Sequence, residues 1–360
     1  MKSALLRHTY FDGFLSKAEL RLGRRRYTFT LASSKRLMEP LCWGDVWIPM
    51  ALLPAMRVKS RLRFEGGYVS AGLLERLESI QGLLGSWFPN FHPVPIQSSS
   101  KKSQGKSGVA LACLFTGGVD SFYSVIATKP EALVYVVDTH NEPEKITSLL
   151  GNLVKVVGEE FSAEPVFVYS DIRATVDAFA DWGTQFHGLF FSGVGALLQR
   201  SFSALVVPEG QWEGMSDVKG WGMHPRLNPL LSDFGGEPKL IFQGGSVDRF
   251  SKIEYLQYSA AVLANLRVCW RSKDELNCSK CEKCLRTMIP LEVLGASHLA
   301  GSFSWPLDLH AVRSLVLENE HEVSWAQENL FAAKRYGRND LAEALRVVLA
   351  ATDSRRLRPA

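Results

Sequence analysis

The sequence predicts an α/β protein with a parallel central sheet, and three observations support this fold class. From residue 109 onwards, apolar strand-like runs alternate with helical segments. Two adjacent glycines join the first of these strands to the first helix. The chain is long enough for a large core, with 360 residues of which 46% are hydrophobic. Because strands buried on both faces form continuous apolar runs, we expect helices on both sides of the sheet.

The first part of the chain differs from the rest. We predict a small N-terminal α+β domain over residues 1–96, with β-like runs at 27–31 and 46–48. An amphipathic helix is predicted over 71–87, where leucine and isoleucine recur at helical spacing. Residues 97–108 are polar and rich in serine and lysine, which predicts a flexible linker.

Residues 109–268 are predicted to form a Rossmann-like, nucleotide-binding domain. Strands are expected at 109–115, 133–138, 166–169 and 204–207, and helices at 120–127, 145–160 and 185–200. Right-handed crossovers would place the carboxyl ends of these strands, and therefore a ligand, along one edge. A cysteine-rich element follows at 269–300, and residues 301–360 are predicted to be a helical C-terminal region.

The segment Leu-Phe-Thr-Gly-Gly-Val-Asp-Ser at 114–121 contains the main candidate site, Thr116, Gly117, Gly118, Val119, Asp120 and Ser121. A strand that enters a helix through a glycine turn presents backbone N–H groups to an anion. A Walker loop is excluded because the Gly-Lys-Ser at 105–107 precedes the strand, and the dinucleotide pattern G-x-G-x-x-G is absent from this turn. The alternative is an ordinary strand-to-helix turn.

Other charged residues are candidates for the same pocket. Asp138 ends a predicted strand and is expected either to line the nucleotide pocket or to stabilise a turn. Arg249 and Lys252 are three residues apart on a helix that we expect to begin with Ser246 as N-cap. They could meet an anion together or form a solvated helix face. Arg173 is a weaker cation candidate.

Two histidines are candidates for acid–base chemistry because their ordinary pKa is near neutrality. His187 precedes a predicted helix, and His224 lies in a loop rich in glycine and proline. The alternative for each is a hydrogen-bonded structural histidine.

Four cysteines, Cys269, Cys278, Cys281 and Cys284, have the spacing C-x8-C-x2-C-x2-C. This set suits tetrahedral Zn²⁺, and a full shell of four thiolates leaves no position for a reactive water. We therefore predict a structural zinc site. An iron–sulfur cluster remains the alternative, because it also accepts four cysteines.

The composition limits the other functions. The net charge of +4 is small, and we interpret the basic runs at 24–26 and 355–358 as solvated surface rather than nucleic-acid-binding arms. Nucleic acid is a less favoured partner, although this composition leaves it open. The sequence lacks an apolar run long enough to cross a membrane, so we expect no membrane partner and a cytoplasmic location.

The glycine loop, with the cysteine cluster some 150 residues later, resembles 7-cyano-7-deazaguanine synthase and its relatives among the ATP pyrophosphatases (PP-loop proteins). The resemblance covers residues 109–290 and implies an adenine nucleotide alpha hydrolase-like fold. It also implies ATP bound at Gly117, Gly118, Asp120 and Ser121, and Zn²⁺ bound by the four cysteines. The family adenylates a carboxylate, and the cleavage of ATP at the α-phosphate calls for Mg²⁺. We expect Asp120, Ser121 and His187 to be catalytic, with Asp120 either holding Mg²⁺ or fixing the loop.

The resemblance leaves the acceptor open. Longer relatives with an added N-terminal domain share the segments at 221–225 and 277–288, although Asn228 stands where we expect an aspartate in them. Related proteins occur in bacterial defence operons, so the acceptor carboxylate could be on a small molecule or a protein. The N-terminal domain could bind a partner protein. The alternatives are an RNA-thiolating enzyme and a catalytically silent, ATP-binding scaffold.

Overall fold

A computed structural model describes residues 2–102, 108–210, 220–232 and 240–356. Over these ranges the chain is an α/β protein with a large, mostly parallel sheet flanked by helices, which confirms the predicted fold class. None of the helices within these ranges combines the length and the apolar character needed to cross a membrane.

In the part of the chain that the structure describes, ten strands form one sheet, and two short strands form a second. The strands are β1 (Lys2–Phe11), β2 (Leu15–Leu22), β3 (Arg25–Ser33), β4 (Ser60–Glu65), β5 (Val69–Ser70), β6 (Ile96–Gln97), β7 (Ser100–Lys101), β8 (Leu111–Leu114), β9 (Ala132–Asp138), β10 (Glu164–Ser170), β11 (Ala204–Pro208) and β12 (Leu240–Gln243). The order across the main sheet is β12-β11-β8-β9-β10-β3-β2-β1-β4-β6, and β5 pairs with β7.

The helices cover both faces of the parallel half of this sheet. They are α1 (Trp43–Arg57), α2 (Ala71–Trp87), α3 (Val119–Thr128), α4 (Glu144–Glu160), α5 (Arg173–Val176), α6 (His187–Leu198), α7 (Asn228–Ser232), α8 (Arg249–Leu256), α9 (Ala260–Ala264), α10 (Glu282–Val293), α11 (Leu309–Arg313), α12 (Glu320–Arg335) and α13 (Asn339–Arg356). A π-helical turn, Trp182–Phe186, precedes α6, and a 3-10 turn, Ser297–Leu299, follows α10. The predicted elements between 120 and 207 are all present, with small changes in their limits.

The strand that leads into the glycine loop, β8, lies where the strand order of the parallel sheet reverses. The chain passes from β8 to β9 and β10 in one direction, and then returns to place β11 and β12 on the other side of β8. All of these neighbouring strands are parallel. Their carboxyl ends therefore meet at a topological switch point beside β8, where ligands bind in such sheets.

The N-terminal strands continue this sheet. β3 pairs antiparallel with β10, with Leu31 opposite Ser170. On one face of the sheet, α1 packs against α6, and a Cβ at Gly193 would lie 2.5 Å from the backbone oxygen of Val46. One hydrophobic core includes residues from both parts, such as Leu6 and Val134. The segment that we expected as a separate N-terminal unit thus shares a sheet and a core with the rest.

The β-like run predicted at 46–48 is wrong, since these residues lie inside α1. Every residue of α1 before Arg57 is buried, so its apolar residues show no helical periodicity. The helix also contains Pro49 and Pro54, and proline disfavours a helix interior because it lacks an N–H donor and its ring clashes with the preceding turn. The buried position of α1 between the sheet and α6 overrides these local signals.

The predicted linker at 97–108 contains two short strand pairings. Gln97 extends the main sheet beside Arg63, and Ser100 pairs with Val69. Residues 103–107 of this prediction lie outside the described residues. The strand predicted at 109–115 is shorter in the structure, where β8 spans Leu111–Leu114. Val109 lies before the sheet and is almost fully exposed.

Candidate functional site

The glycine turn between β8 and α3 requires glycine at Gly117 but not, for folding, at Gly118. Gly117 has a φ of 77°, and a Cβ there would lie 2.5 Å from Leu153 Cδ2. Its carbonyl also accepts a hydrogen bond of 2.7 Å from the Arg267 amide. Gly118 has an ordinary φ of −77°, and a Cβ there would have no atom nearer than 3.7 Å. The open space beside Gly118 is on the side of Thr116 Oγ1 and Ser121 Oγ.

The beginning of α3 has free donors. Gly118 is the N-cap and has no side chain to accept a hydrogen bond from the first turn. In any α-helix the first N–H groups lack an acceptor within the helix, and the helix dipole adds partial positive charge there. Ser121 Oγ donates to the Gly118 carbonyl at 2.9 Å, so this hydroxyl fixes the turn. The loop therefore has the donors that an anion such as a phosphate requires.

Asp120 joins this loop to α8. Its Oδ2 lies 3.1 Å from Arg249 Nη1, and its Oδ1 lies 2.9 Å from Lys252 Nζ. Burial alone would raise the pKa of Asp120, but the charges of Lys252 and Arg249 outweigh it and hold the pKa at about 2. Lys252 is only 1% exposed and also donates to the Glu209 carbonyl at 2.5 Å. The two predicted cations do meet an anion together, and that anion is the carboxylate of Asp120.

The start of α8 differs from the prediction that Ser246 is the N-cap. Asp248 is the N-cap, and its Oδ1 accepts a hydrogen bond of 2.8 Å from the Ser251 amide. Aspartate and serine are both good N-caps, so local preference does not distinguish these positions. This start places Arg249 and Lys252 in the first turn, on the side that faces Asp120.

A cleft of ≈ 840 Å³ opens at the carboxyl ends of β8, β9, β10 and β11. Of the predicted site residues, it is lined by Thr116, Gly118, Val119, Asp120, Asp138, His187 and Arg249. Gly117, Ser121 and Lys252 lie behind this lining and support it through the contacts described above. The tertiary structure thus brings these predicted residues, from four parts of the chain, to one cavity, of a size that suits a ligand as large as a nucleotide.

The cleft also contains cations that the sequence analysis did not place there. Arg286, from the cysteine-rich element, is only 6% exposed and lies with its guanidinium 3.6 Å from the ring centre of Trp325. Its Nη1 has no hydrogen-bond partner among the described residues. Lys283 and Arg267 line the same cavity. The sequence signal for Lys283 and Arg286 is their position beside Cys284, which does not by itself indicate a place in the cleft.

Asp138 lies in the cleft wall, where its carboxylate is already paired. Its Oδ1 accepts hydrogen bonds from the amides of His140 and Asn141, each at 3.1 Å, and its Oδ2 lies 3.0 Å from Arg173 Nη1. Asp138 therefore stabilises a turn and also lines the cavity, while its place in a nucleotide pocket stays a prediction.

The two candidate histidines differ in position. His187 lines the cleft, and its Nδ1 donates to the Trp182 carbonyl at 3.0 Å. Desolvation by burial lowers the pKa of His187 to about 4, so its ring is neutral at neutral pH. His224 is buried against Trp87 outside the cleft lining, and its Nδ1 accepts from the Arg226 amide at 3.0 Å. The geometry of His224 is that of a structural histidine, whereas His187 can still contact a ligand.

The four cysteines form one cluster. The Sγ atoms of Cys269, Cys278, Cys281 and Cys284 all lie within 4.8 Å of one another. The distances are 3.8 Å from Cys269 to Cys281, 3.8 Å from Cys278 to Cys284 and 3.5 Å from Cys281 to Cys284. A tetrahedral ion with Zn–S bonds of about 2.3 Å needs sulfurs about 3.8 Å apart. The cluster could therefore hold a metal such as zinc.

Backbone groups support this cluster. The amides of Arg271 and Ser272 donate to Cys269 Sγ at 3.3 and 3.2 Å, and the Cys281 amide donates to Cys278 Sγ at 3.3 Å. Such donors stabilise thiolates. In an iron–sulfur cluster the cysteines bind different iron atoms, so the thiolates spread more widely than around one ion. The spacing in this protein fits a single ion better.

No protein-family model matches this chain, and no curated protein or solved structure shows significant similarity to it. The class of this protein is therefore described by its fold and its candidate site alone. The chain is an α/β protein with a polar cleft at the switch point of a mostly parallel sheet and a four-cysteine cluster beside that cleft.

Proposed function

We propose that this protein is an ATP-dependent, AMP-forming ligase that activates a carboxylate. The main support is the uncapped start of α3 at Gly118, which opens into the cleft at the switch point. We propose that the N–H groups of residues 116–121 bind the β- and γ-phosphates of ATP. The resemblance of this loop to that of the PP-loop proteins supports the same assignment.

In the proposed reaction, an oxygen of the substrate carboxylate attacks the α-phosphorus of ATP. The bond between the α-phosphorus and the bridging oxygen of the β-phosphate breaks, and pyrophosphate leaves with the electron pair. An acyl adenylate forms, and a nitrogen nucleophile then displaces AMP from it to give an amide. Negative charge builds up on the leaving pyrophosphate, and preorganised donors would stabilise it. Arg249, Arg286 and Lys283 line the cleft and are suited to this task.

We propose that Asp120 organises the site rather than binding Mg²⁺ directly, because each of its oxygens already contacts a cation. Mg²⁺ often binds proteins through substrate phosphates with few protein ligands, which is compatible with this arrangement. Ser121 would keep the loop in shape through its bond to Gly118. His187, neutral and in the cleft wall, is suited to accept a hydrogen bond from the acceptor substrate at Nε2.

The remaining proposals concern the metal, the location in the cell, the acceptor substrate and a partner protein. We propose a structural Zn²⁺ at the four cysteines, a cytoplasmic location, and an acceptor carboxylate carried by a small molecule or by a protein. A deazapurine carboxylate is the first acceptor to test, because of the resemblance described above. A protein partner could bind through the N-terminal region.

The function can be tested with α-labelled ATP, Mg²⁺, an ammonium salt and a deazapurine carboxylate. We expect AMP and pyrophosphate, without ADP. Gly118→Ala should reduce ATP binding at least tenfold while leaving folding intact, because its Cβ enters the open space beside the loop. Gly82→Ala is the matched control, since a Cβ at Gly82 meets no atom within 4 Å.

The outcomes separate the alternatives. Unchanged ATP binding by the Gly118→Ala variant would contradict the placement of the phosphates. Binding of ATP without AMP formation from any carboxylate would favour the scaffold function. AMP formation that depends on RNA and a sulfur donor would favour RNA thiolation.

A further inference from the structure

One face of the N-terminal strands is left uncovered. In β1, β2, β3 and β4, alternate side chains such as Leu6, Leu20 and Phe29 pack into the core with α1 and α2. The side chains between them belong to the opposite face. In the parallel half of the sheet that opposite face is covered by α3 and α4, but over β1 to β4 no helix of the described ranges covers it.

The strand register places arginines next to one another on this open face. Leu5 of β1 is opposite Arg63 of β4 and Arg21 of β2, and Arg21 is in turn opposite Arg26 of β3. Partners in register share a face, so these four residues form one row across four strands. With strands about 4.8 Å apart, the row from Arg63 to Arg26 is about 14 Å long.

Neighbouring rows add further basic residues. We call this surface the arginine face, and it consists of Arg7, Lys17, Arg21, Arg26, Arg61 and Arg63 with the acidic residues Glu19 and Glu65. Its net charge of +4 equals that of the whole chain, so the rest of the chain is neutral on balance. The excess of basic over acidic residues on this face is therefore as large as that of the whole chain.

Both acidic residues are already paired with arginines. Glu65 accepts hydrogen bonds from Arg63 and, at 3.0 Å, from Arg7 Nε. Glu19 lies 3.9 Å from Arg26. Arg21 and Arg61 form no ion pair with any described residue, and both are exposed. These free charges are available to an external anion.

We propose that the arginine face binds the sugar–phosphate backbone of double-stranded nucleic acid. A duplex carries one negative charge per about 1.7 Å of its axis, counted over both strands, so about 14 Å of duplex has roughly eight phosphates. Those on the side towards the protein can contact the row. Arginine, lysine and threonine are the side chains that usually contact phosphates, and Thr28 and Thr30 lie on this face opposite Glu19 and Lys17. This proposal is independent of the ligase function and concerns a class of partner that the composition disfavours but leaves open.

The composition of the face favours a duplex over other partners. Protein interfaces have an apolar centre, whereas Leu5 is the main apolar side chain within these rows. Single strands are usually held by stacking on aromatic rings, and the aromatic side chains at this face, Tyr10 and Tyr169, lie at its margins. Binding through phosphates alone should depend strongly on salt and little on base sequence.

The test is fluorescence polarisation of the full chain with labelled 30-base-pair DNA and RNA duplexes between 50 and 200 mM salt. We expect Arg21→Ser/Arg26→Ser/Arg61→Ser to weaken binding at least tenfold. We also expect it to lower the slope of log affinity against log salt by about three, since one phosphate contact is lost at each position. The matched control, Arg313→Ser/Lys334→Ser/Arg346→Ser, removes the same charge from exposed positions on the C-terminal helices and should change affinity less than about twofold.

Replacement of the same three arginines by lysine keeps the charge and should retain most of the binding, which shows that the charge is what the duplex requires. An unchanged melting temperature of the serine variant shows that its loss of binding is not a loss of folding. Absence of duplex binding at 50 mM salt would overturn the proposal. So would equal weakening by the control variant, or competition by polyglutamate as effective as that by unlabelled duplex.

Discussion

At the scale of single residues, Asp120 has the most consequential contacts. It is the common partner of two nearly buried cations, Arg249 and Lys252, and within the described ranges neither has another carboxylate within ion-pairing distance. We predict that Asp120→Asn lowers the free energy of unfolding by about 3–5 kcal/mol, because removal of one partner leaves buried charges uncompensated. Chemical denaturation at pH 7 measures this. Asp177→Asn, which removes a more exposed partner of Arg173, should cost less than about 1 kcal/mol.

The ion pairs of Asp120 with Arg249 and Lys252 also predict how the stability of the protein depends on pH. The pKa of Asp120 is lowered from 3.8 to about 2, so the folded state favours the charged carboxylate. Its stabilising contribution is complete above pH 3.8 and is lost as the pH falls towards 2. The difference in unfolding free energy between the wild type and Asp120→Asn should therefore stay constant from pH 8 to pH 5. A difference that declines within that interval would contradict the ion pairs described.

At the scale of elements, the cysteine cluster fixes the start of α10. Cys281 is the N-cap of α10 and Cys284 lies in its first turn, while Cys269 comes from the preceding loop. A metal bound to all of them would hold α10 in place, and with it Lys283 and Arg286 in the cleft wall. A metal in this cluster would therefore have a structural role and would contribute indirectly to the candidate site.

We predict about one zinc ion per chain, as a four-thiolate site binds a single ion. Cys278→Ala should lose the metal and lower the melting temperature, as should a strong chelator in the wild type. Cys42→Ala is the control, because Cys42 is buried in another part of the chain and should leave the metal content unchanged. Metal content is measured by mass spectrometry of the purified proteins. Full zinc content in Cys278→Ala would refute the four-ligand site.

At the scale of the whole molecule, the N-terminal strands and the parallel sheet form one structural body. They share β-pairing between β3 and β10 and the contact of α1 with α6 at Gly193. We predict one cooperative thermal transition for the full chain, measured by calorimetry. Gly193→Val should shift the entire transition downwards, with a cost of about 1–3 kcal/mol for overpacking. A two-step unfolding curve, with only the first step shifted, would show instead that the two parts unfold independently.

The sequence was sufficient for the elements whose signals are local. β9 and β10 are apolar runs, α2 and α4 show helical spacing, and the glycine turn follows from two adjacent glycines. The cysteine cluster could also be predicted, because four ligands with short spacings converge wherever the surrounding chain lies. These features depend on residues that are close together in the chain, so their physical causes are present in the sequence itself.

Tertiary structure alone determined the remaining features. α1 is helical because it is buried against the sheet and α6, despite its prolines and its uniform apolar character. The pairing of Asp120 with Arg249 and Lys252 joins positions about 130 residues apart, and the row of arginines on the open face exists only through the register of four strands. Contacts between distant segments depend on how whole elements pack, and no local pattern of residues encodes that packing.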